Sequence, residues 1–83
     1  MSMTYSIEDL RRAFVDTLTL DPEVDIEATE YSVTPGWDSI AHMALVAELE
    51  DRFDVMLDTD DVLEMSSFVK SVEILGKHDV DFE

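Results

Sequence analysis

The chain contains no cysteine. Neither a disulfide framework nor a thiolate metal site can staple it, so a domain of 83 residues must be held by packing alone. A reducing cytosol is compatible with that. Positive charge is nearly as scarce: five Lys or Arg stand against twenty-one Asp or Glu, for a formal charge of −16. No Lys or Arg lies between Arg12 and Arg52, an interval that holds ten acids. A field of one sign repels nucleic acid and anionic membranes, and it speeds encounter with basic protein patches by long-range steering that salt weakens. Solubility is the plainer use of the same surface. Long apolar runs are missing too. Nothing approaches the ~20 residues needed to span a bilayer, and no basic segment followed by an apolar one opens the chain. A soluble, cytoplasmic, monomeric protein is expected. Disorder is excluded, because 46% of the residues are hydrophobic and they recur at helical spacing.

Tyr5-Ser6-Ile7-Glu8-Asp9-Leu10 has the form of a helix start: Ser6 as N-cap, Asp9 closing a capping-box-like pair, Tyr5 stapled against Leu10. Ile7, Leu10, Phe14 and Leu18 then share one face, with Val15 beside them. Pro22 follows the expected end of this helix. The acid-rich segment from Asp21 to Pro35 has no sustained period and reads as a long loop, with Val24, Ile26, Tyr31 and Val33 available to pin it. A second helix begins at Asp38 as N-cap and runs to about Arg52, whose charge suits the negative end of the dipole. Asp58 or Thr59 can cap a short third helix through about Glu64. Ser66 or Ser67 caps a fourth, with Phe68, Val72 and Leu75 on one face and Gly76-Lys77 at its end. No strand is expected. The fold class is all-α, a small four-helix bundle of three main helices and one short one, in a single domain over residues 1–83. Its ordered core is placed at about residues 5–77, with a frayed tail over 78–83.

The second helix carries two apolar faces. Leu45, Leu49 and Phe53, with Val46 adjacent, make one; Ile40, Met43, Ala44 and Ala47 make the other. One face must build the core. In so small a bundle the second is expected to be an exposed partner surface. Ser39 begins that surface. As a hydrolytic nucleophile it would need a base, an orienting acid and an oxyanion hole. His42 lies three residues on, but Gly36-Trp37-Asp38-Ser39-Ile40 lacks the second glycine of a nucleophile elbow and no strand precedes it, so His42 reads as a packed filler. A hydroxyl in the first turn of a helix does sit near free backbone N–H groups and the positive dipole end, a place suited to a phosphodiester. Gly36 allows a tight turn into it. Trp37 either staples the helix start against His42 or meets a partner.

Asp38-Ser39-Ile40, the helix continuing to Glu48-Leu49-Glu50-Asp51-Arg52-Phe53-Asp54, and the capping serines before Phe68 resemble the acyl carrier proteins and the related aminoacyl or peptidyl carrier domains. The resemblance runs over nearly the whole chain without large gaps. It implies that Ser39 receives phosphopantetheine from coenzyme A through a phosphopantetheinyl transferase, and that the arm's thiol carries acyl groups as thioesters. It implies no catalysis by the carrier itself. It also implies that basic docking patches on loading ligases or transferases and on downstream synthases meet Asp38, Ile40, Met43, Ala47, Glu48, Glu50 and Asp51 on the second helix, and Asp60, Asp61, Glu64 and Met65 around the third. Trp37 stands where the family commonly has a small or aliphatic residue, and Ala44 where a carboxylate is frequent. These departures suggest a freestanding carrier of a specialised polyketide, lipid or other secondary pathway.

Other classes remain to be weighed: an aminoacyl or peptidyl carrier, and an unmodified acidic adaptor docking through Ile40, Met43 and Ala47. A calcium sensor is disfavoured by the sequence. Counted from Asp58, the fifth and sixth positions of an EF-hand loop would be Val62 and Leu63, where a ligand and a glycine are required, so no metal site is expected.

Overall fold

A computed structural model describes residues 3–21 and 23–83. Its helices are α1 (Ile7–Leu18), α2 (Ser39–Phe53), α3 (Thr59–Glu64) and α4 (Phe68–Lys77), with a single 3₁₀ turn, Ile26–Ala28, in the long connection between α1 and α2. Each helix begins on an oxygen-bearing side chain that takes up an N–H the helix cannot satisfy itself. Ser6 accepts from Glu8, Asp38 from Ala41, and Ser67 from Lys70. At α3 the cap is reciprocal: Asp58 accepts the Asp61 N–H at 2.8 Å while the Asp61 carboxylate faces the Asp58 N–H. At α1 the expected pair with Asp9 does not form: Ser6 Oγ accepts the Glu8 N–H at 3.2 Å, and the Asp9 N–H goes to the Ser6 carbonyl at 3.0 Å.

The core joins one stripe from each long helix. Leu10, Ala13, Phe14 and Leu18 of α1 meet Leu45, Leu49 and Phe53 of α2 and Phe68, Ile74 and Leu75 of α4. Met65 and Leu57 close it from the flanks of α3. Phe14 stands edge-on to both Phe68, at 5.0 Å between ring centroids, and Trp37, at 5.4 Å. The loop before α2 is held by its backbone as well as by side chains. Tyr31 donates its N–H to the Ser66 carbonyl at 2.9 Å, Glu30 bridges to Ser67, and Thr29 is buried with its hydroxyl on the Ile26 carbonyl. Val24 and Ile26 pack on the core, whereas Val33 projects into solvent and pins nothing. Pro22 lies outside the described residues.

Two features correct the sequence reading. The tail is not frayed: β1 (Met3–Tyr5) and β2 (Val80–Phe82) pair in parallel, Met3 opposite Val80 and Tyr5 opposite Phe82, and the Glu83 N–H donates to the Tyr5 carbonyl at 2.9 Å. Val80 is buried. Phe53, the last residue of α2, is held between Tyr5 (4.9 Å) and Phe82 (5.4 Å), each ring edge-on to it, so Tyr5 serves α2 and the sheet where a staple onto Leu10 was expected. The ordered unit therefore extends beyond residue 77. Gly76 also does not end α4; it lies within the last turn, and the left-handed residue that turns the chain away is Asp79, at φ 65°.

Candidate functional site

The site is built where the α1–α2 connection turns into α2. Gly36 adopts φ +95°, and a Cβ there would stand 2.6 Å from the Leu18 carbonyl oxygen. Only glycine lets the loop pass so close to the end of α1. Ser32, at φ 66°, donates its N–H to the Trp37 carbonyl, and the Trp37 N–H donates to the Thr34 carbonyl, so the turn is closed by its own backbone. Asp38 then caps α2 through Ala41, at 2.8 Å.

Ser39 is the first residue of a 15-residue helix, and it is exposed. The cap uses the Ala41 N–H and the Asp38 carbonyl takes that of His42, leaving the Ser39 and Ile40 N–H groups of the first turn without an acceptor among the described residues. A phosphodiester on Ser39 Oγ fits this place: it would meet unspent donors and the positive end of the helix dipole, with open solvent for an attached arm.

His42 is not a base for Ser39. It is buried, Trp37 donates its indole N–H to His42 Nδ1 at 3.0 Å, and His42 Nε2 lies 2.9 Å from the Val62 carbonyl oxygen. Both ring nitrogens are committed. Trp37 is itself only 1% exposed, with Tyr31 and Phe14 against it, so it staples the helix start and meets no partner.

The second apolar face of α2 is open. Ile40 is 82% and Met43 58% exposed, and Ala44 and Ala47 lie beside them in solvent. Leu63 of α3, 75% exposed, extends the patch; the sequence reading passed over it, because a helix of six residues has too few turns to show which side faces out. Asp38, Asp51, Asp60 and Glu64 are exposed around these residues. Glu48 and Glu50 have tasks within the chain: Glu48 pairs with Arg52 at 3.1 Å, and Glu50 accepts the Leu57 N–H at 2.9 Å.

Two expected partner residues are not on the surface. Met65 is 1% exposed and belongs to the core. Asp61 is 3% exposed and turns inward to the end of α4, where His78 Nε2 lies at 2.7 Å and Lys77 Nζ at 3.2 Å. The hydrogen bond from His78 holds the Asp61 carboxyl below the usual carboxylate range, against the opposing push of burial, and Lys77 and the Asp58 N–H add to the lowering. Lys77 is raised in turn, chiefly by its bond to Asp61.

Two depressions border the site. A small one of about 240 Å³ opens beside Ser39 between Tyr31, Met43 and Leu63, with His42, Val62 and Met65 at its inner end. A broader trough of about 720 Å³ lies on the other side of Asp38, between the end of α1, Pro35-Gly36 and the Ile40–Ala44 turn. No helix of the described residues is long and apolar enough to cross a membrane. Among those residues no three His, Asp or Glu side chains converge as a metal-binding group.

No curated protein and no solved structure matches the chain. The family described as "Phosphopantetheine attachment site" matches residues 8–73. That span takes in α1 from Glu8 onward, the Asp38-Ser39 turn, α2, α3 and the first part of α4. By this match over most of its length, together with the helical bundle that bears it, the chain belongs to the phosphopantetheine-attachment family of carrier proteins, whose members are non-catalytic, hold phosphopantetheine as a prosthetic group, are modified by phosphopantetheinyl transferases and work with the enzymes of a pathway.

Proposed function

We propose that Ser39 is the attachment point and that the protein is an acyl carrier of a specialised biosynthetic pathway. The observation that carries the proposal is the exposed Ser39 hydroxyl in the first turn of α2, beside two unspent backbone N–H groups and an open apolar patch. When bound, the arm supplies the thiol that a cysteine-free chain lacks, and thioester chemistry becomes available through it. The residues of the chain present the hydroxyl and the surface around it. Ser39 Oγ forms the new P–O bond as the pyrophosphate bond of coenzyme A breaks and its adenosine bisphosphate half departs. The serine proton passes to a base of the transferase, since His42 is committed elsewhere.

Ile40, Met43 and Leu63 form the apolar centre of the partner surface, and Asp38, Asp51, Asp60 and Glu64 form its charged rim, with Ala47 leaving room for close approach. With a net charge of −16, encounter with basic enzyme surfaces is electrostatically steered. Ala44 supports a specialised pathway, because it leaves the first half of α2 apolar where a general carrier presents a carboxylate; Trp37, being buried, has no part in partner choice. The test is intact-protein mass after incubation with coenzyme A and a broad-specificity phosphopantetheinyl transferase. One phosphopantetheine is expected on the native chain and none on Ser39→Ala. No mass gain, or a gain that survives the substitution, overturns the proposal.

A further inference from the structure

His42 is a buried polar residue that attachment at Ser39 does not use. Because Trp37 donates into Nδ1, the ring carries its proton on Nε2, and Nε2 donates to the Val62 carbonyl. That carbonyl lies in the last turn of α3, where the backbone does not satisfy it: the Ser66 N–H turns to Glu64 instead. The imidazole therefore ties three segments together, the loop at Trp37, α2 and α3, and it does so at the inner end of the cleft beside Ser39. Tyr31 lies against it from outside, with ring centroids 4.9 Å apart. Behind it stand Trp37, Phe14 and Phe68 in successive edge-on contact.

The cleft in front of this tie holds about 240 Å³. Sites that enclose a drug-sized ligand run from about 300 to 1,000 Å³. An apolar chain longer than the cleft could advance only by parting α2 from α3. That would separate His42 from Val62 and leave an imidazole N–H and a carbonyl unpaired among apolar side chains, with the Trp37 bond at risk as well. The 720 Å³ trough beyond Asp38 lies between the end of α1, Pro35-Gly36 and α2 and has no α3 residue in its lining, so a chain resting in it would not pass between α2 and α3.

Resting on the assignment of Ser39 as the attachment point, we propose that His42 is a specificity-determining latch. It holds α3 against α2, keeps cargo beyond a few carbons out of the core, and suits this carrier to short or polar acyl groups. The experiment loads the full chain with acetyl, butyryl, hexanoyl, octanoyl and decanoyl arms from the corresponding acyl-coenzyme A thioesters. Thermal midpoint, backbone amide shifts and the rate of thioester cleavage by hydroxylamine are then read for each. Every methylene that entered the core would raise the midpoint by about 3–6 °C. On the native chain the midpoint is expected to stay level from butyryl to decanoyl, cleavage rates to agree within about twofold, and shifts to be confined to residues lining the cleft, such as Tyr31, Met43 and Leu63. In His42→Val, the midpoint should climb with chain length and decanoyl cleavage should slow. Should that variant not fold, the native series decides alone. A midpoint rising with length on the native chain, with shifts at Leu45 and Leu49, overturns the latch and leaves Ser39 as the carrier serine. Failure to load overturns both.

Discussion

Replacing each of the two glycines by alanine should move stability in opposite directions, and the structure fixes both signs. At Gly36 the backbone sits at φ +95°, where an L side chain is strained by about 1–2 kcal/mol. The added Cβ would lie 2.6 Å from the Leu18 carbonyl oxygen, a backbone atom that cannot swing aside. Relief requires moving the end of α1 away from the turn that leads into α2, and local strain of that kind adds about 1–3 kcal/mol. The stiffer unfolded chain returns about 0.4–1 kcal/mol. The net expectation for Gly36→Ala is a loss of about 1–4.5 kcal/mol, centred on about 3. At Gly76 a Cβ meets nothing within 4 Å, the φ is ordinary, and the residue lies inside α4. Alanine there should add about 0.5–1 kcal/mol.

A domain of this size holds on the order of 5–10 kcal/mol, so the first change is large. Urea unfolding followed by the fluorescence of Trp37, a single buried reporter next to the turn, gives both midpoints, and far-ultraviolet dichroism supplies an independent probe. For the central value of about 3 kcal/mol, the thermal midpoint of Gly36→Ala should fall by about 12–24 °C with the urea slope unchanged. A Gly36→Ala variant within about 0.5 kcal/mol of the native protein would refute the close approach of loop and α1. Both variants moving the same way would refute the separation of the two glycines into a turn residue and a helix residue.

Further outcomes can be stated briefly. Met43→Glu should keep the helical dichroism, since the side chain is largely in solvent, yet lower kcat/KM for transferase modification by about 5–30-fold, a loss of about 1–2 kcal/mol at an apolar docking centre; unchanged turnover would remove Met43 from that surface. Because the folded-state pKa of Asp61 is depressed below its unfolded value of ~3.9, the stability it contributes is fully present above that value and is lost as pH falls through the folded pKa. The native-minus-variant difference for Asp61→Asn should therefore shrink between about pH 5 and pH 2, and a difference independent of pH in that window would deny the carboxylate its role. Val80→Ala should cost about 1.5–2 kcal/mol by denaturant unfolding, as befits two buried methyl groups; a neutral result would restore the view of the C-terminal tail as frayed.

What was legible in the sequence was local. Asp38, Asp58 and Ser67 announce helix starts because a cap acts over three residues, and their bonds form as that spacing requires. The two faces of α2 were legible because fifteen residues give four turns in which a pattern can repeat. The six residues of α3 give fewer than two, so periodicity could not show that Leu63 faces out and Asp61 in, nor that Met65, just past the helix, joins the core. The pairing of Met3–Tyr5 with Val80–Phe82 joins the two ends of the chain across a separation that no local pattern encodes. Trp37 and His42 occupy the ground between. Five residues apart, they lie close enough to suggest a contact, but the third member, Val62, is twenty residues beyond His42 and takes part through its backbone, which carries no sequence signal.

That last arrangement bears on how the carrier is organised. The exposed apolar patch, proposed above as the docking surface, draws on α2 for Ile40 and Met43 and on α3 for Leu63, so its shape depends on the angle between a long helix and a short one. Isolated helices of six residues do not persist in water. Here α3 is held at three points: its capping box at Asp58, the Asp61 carboxylate against His78 and Lys77 of the α4 end, and the Val62 carbonyl on His42. Two of these reach polar groups on α2 and at the end of α4 through part-buried bonds, which are directional in a way that apolar packing is not. A short helix fixed in this manner presents Leu63 at a set distance from Ser39. On the proposed function, the acidic field would bring partners near from any side, and the apolar patch would then select among them.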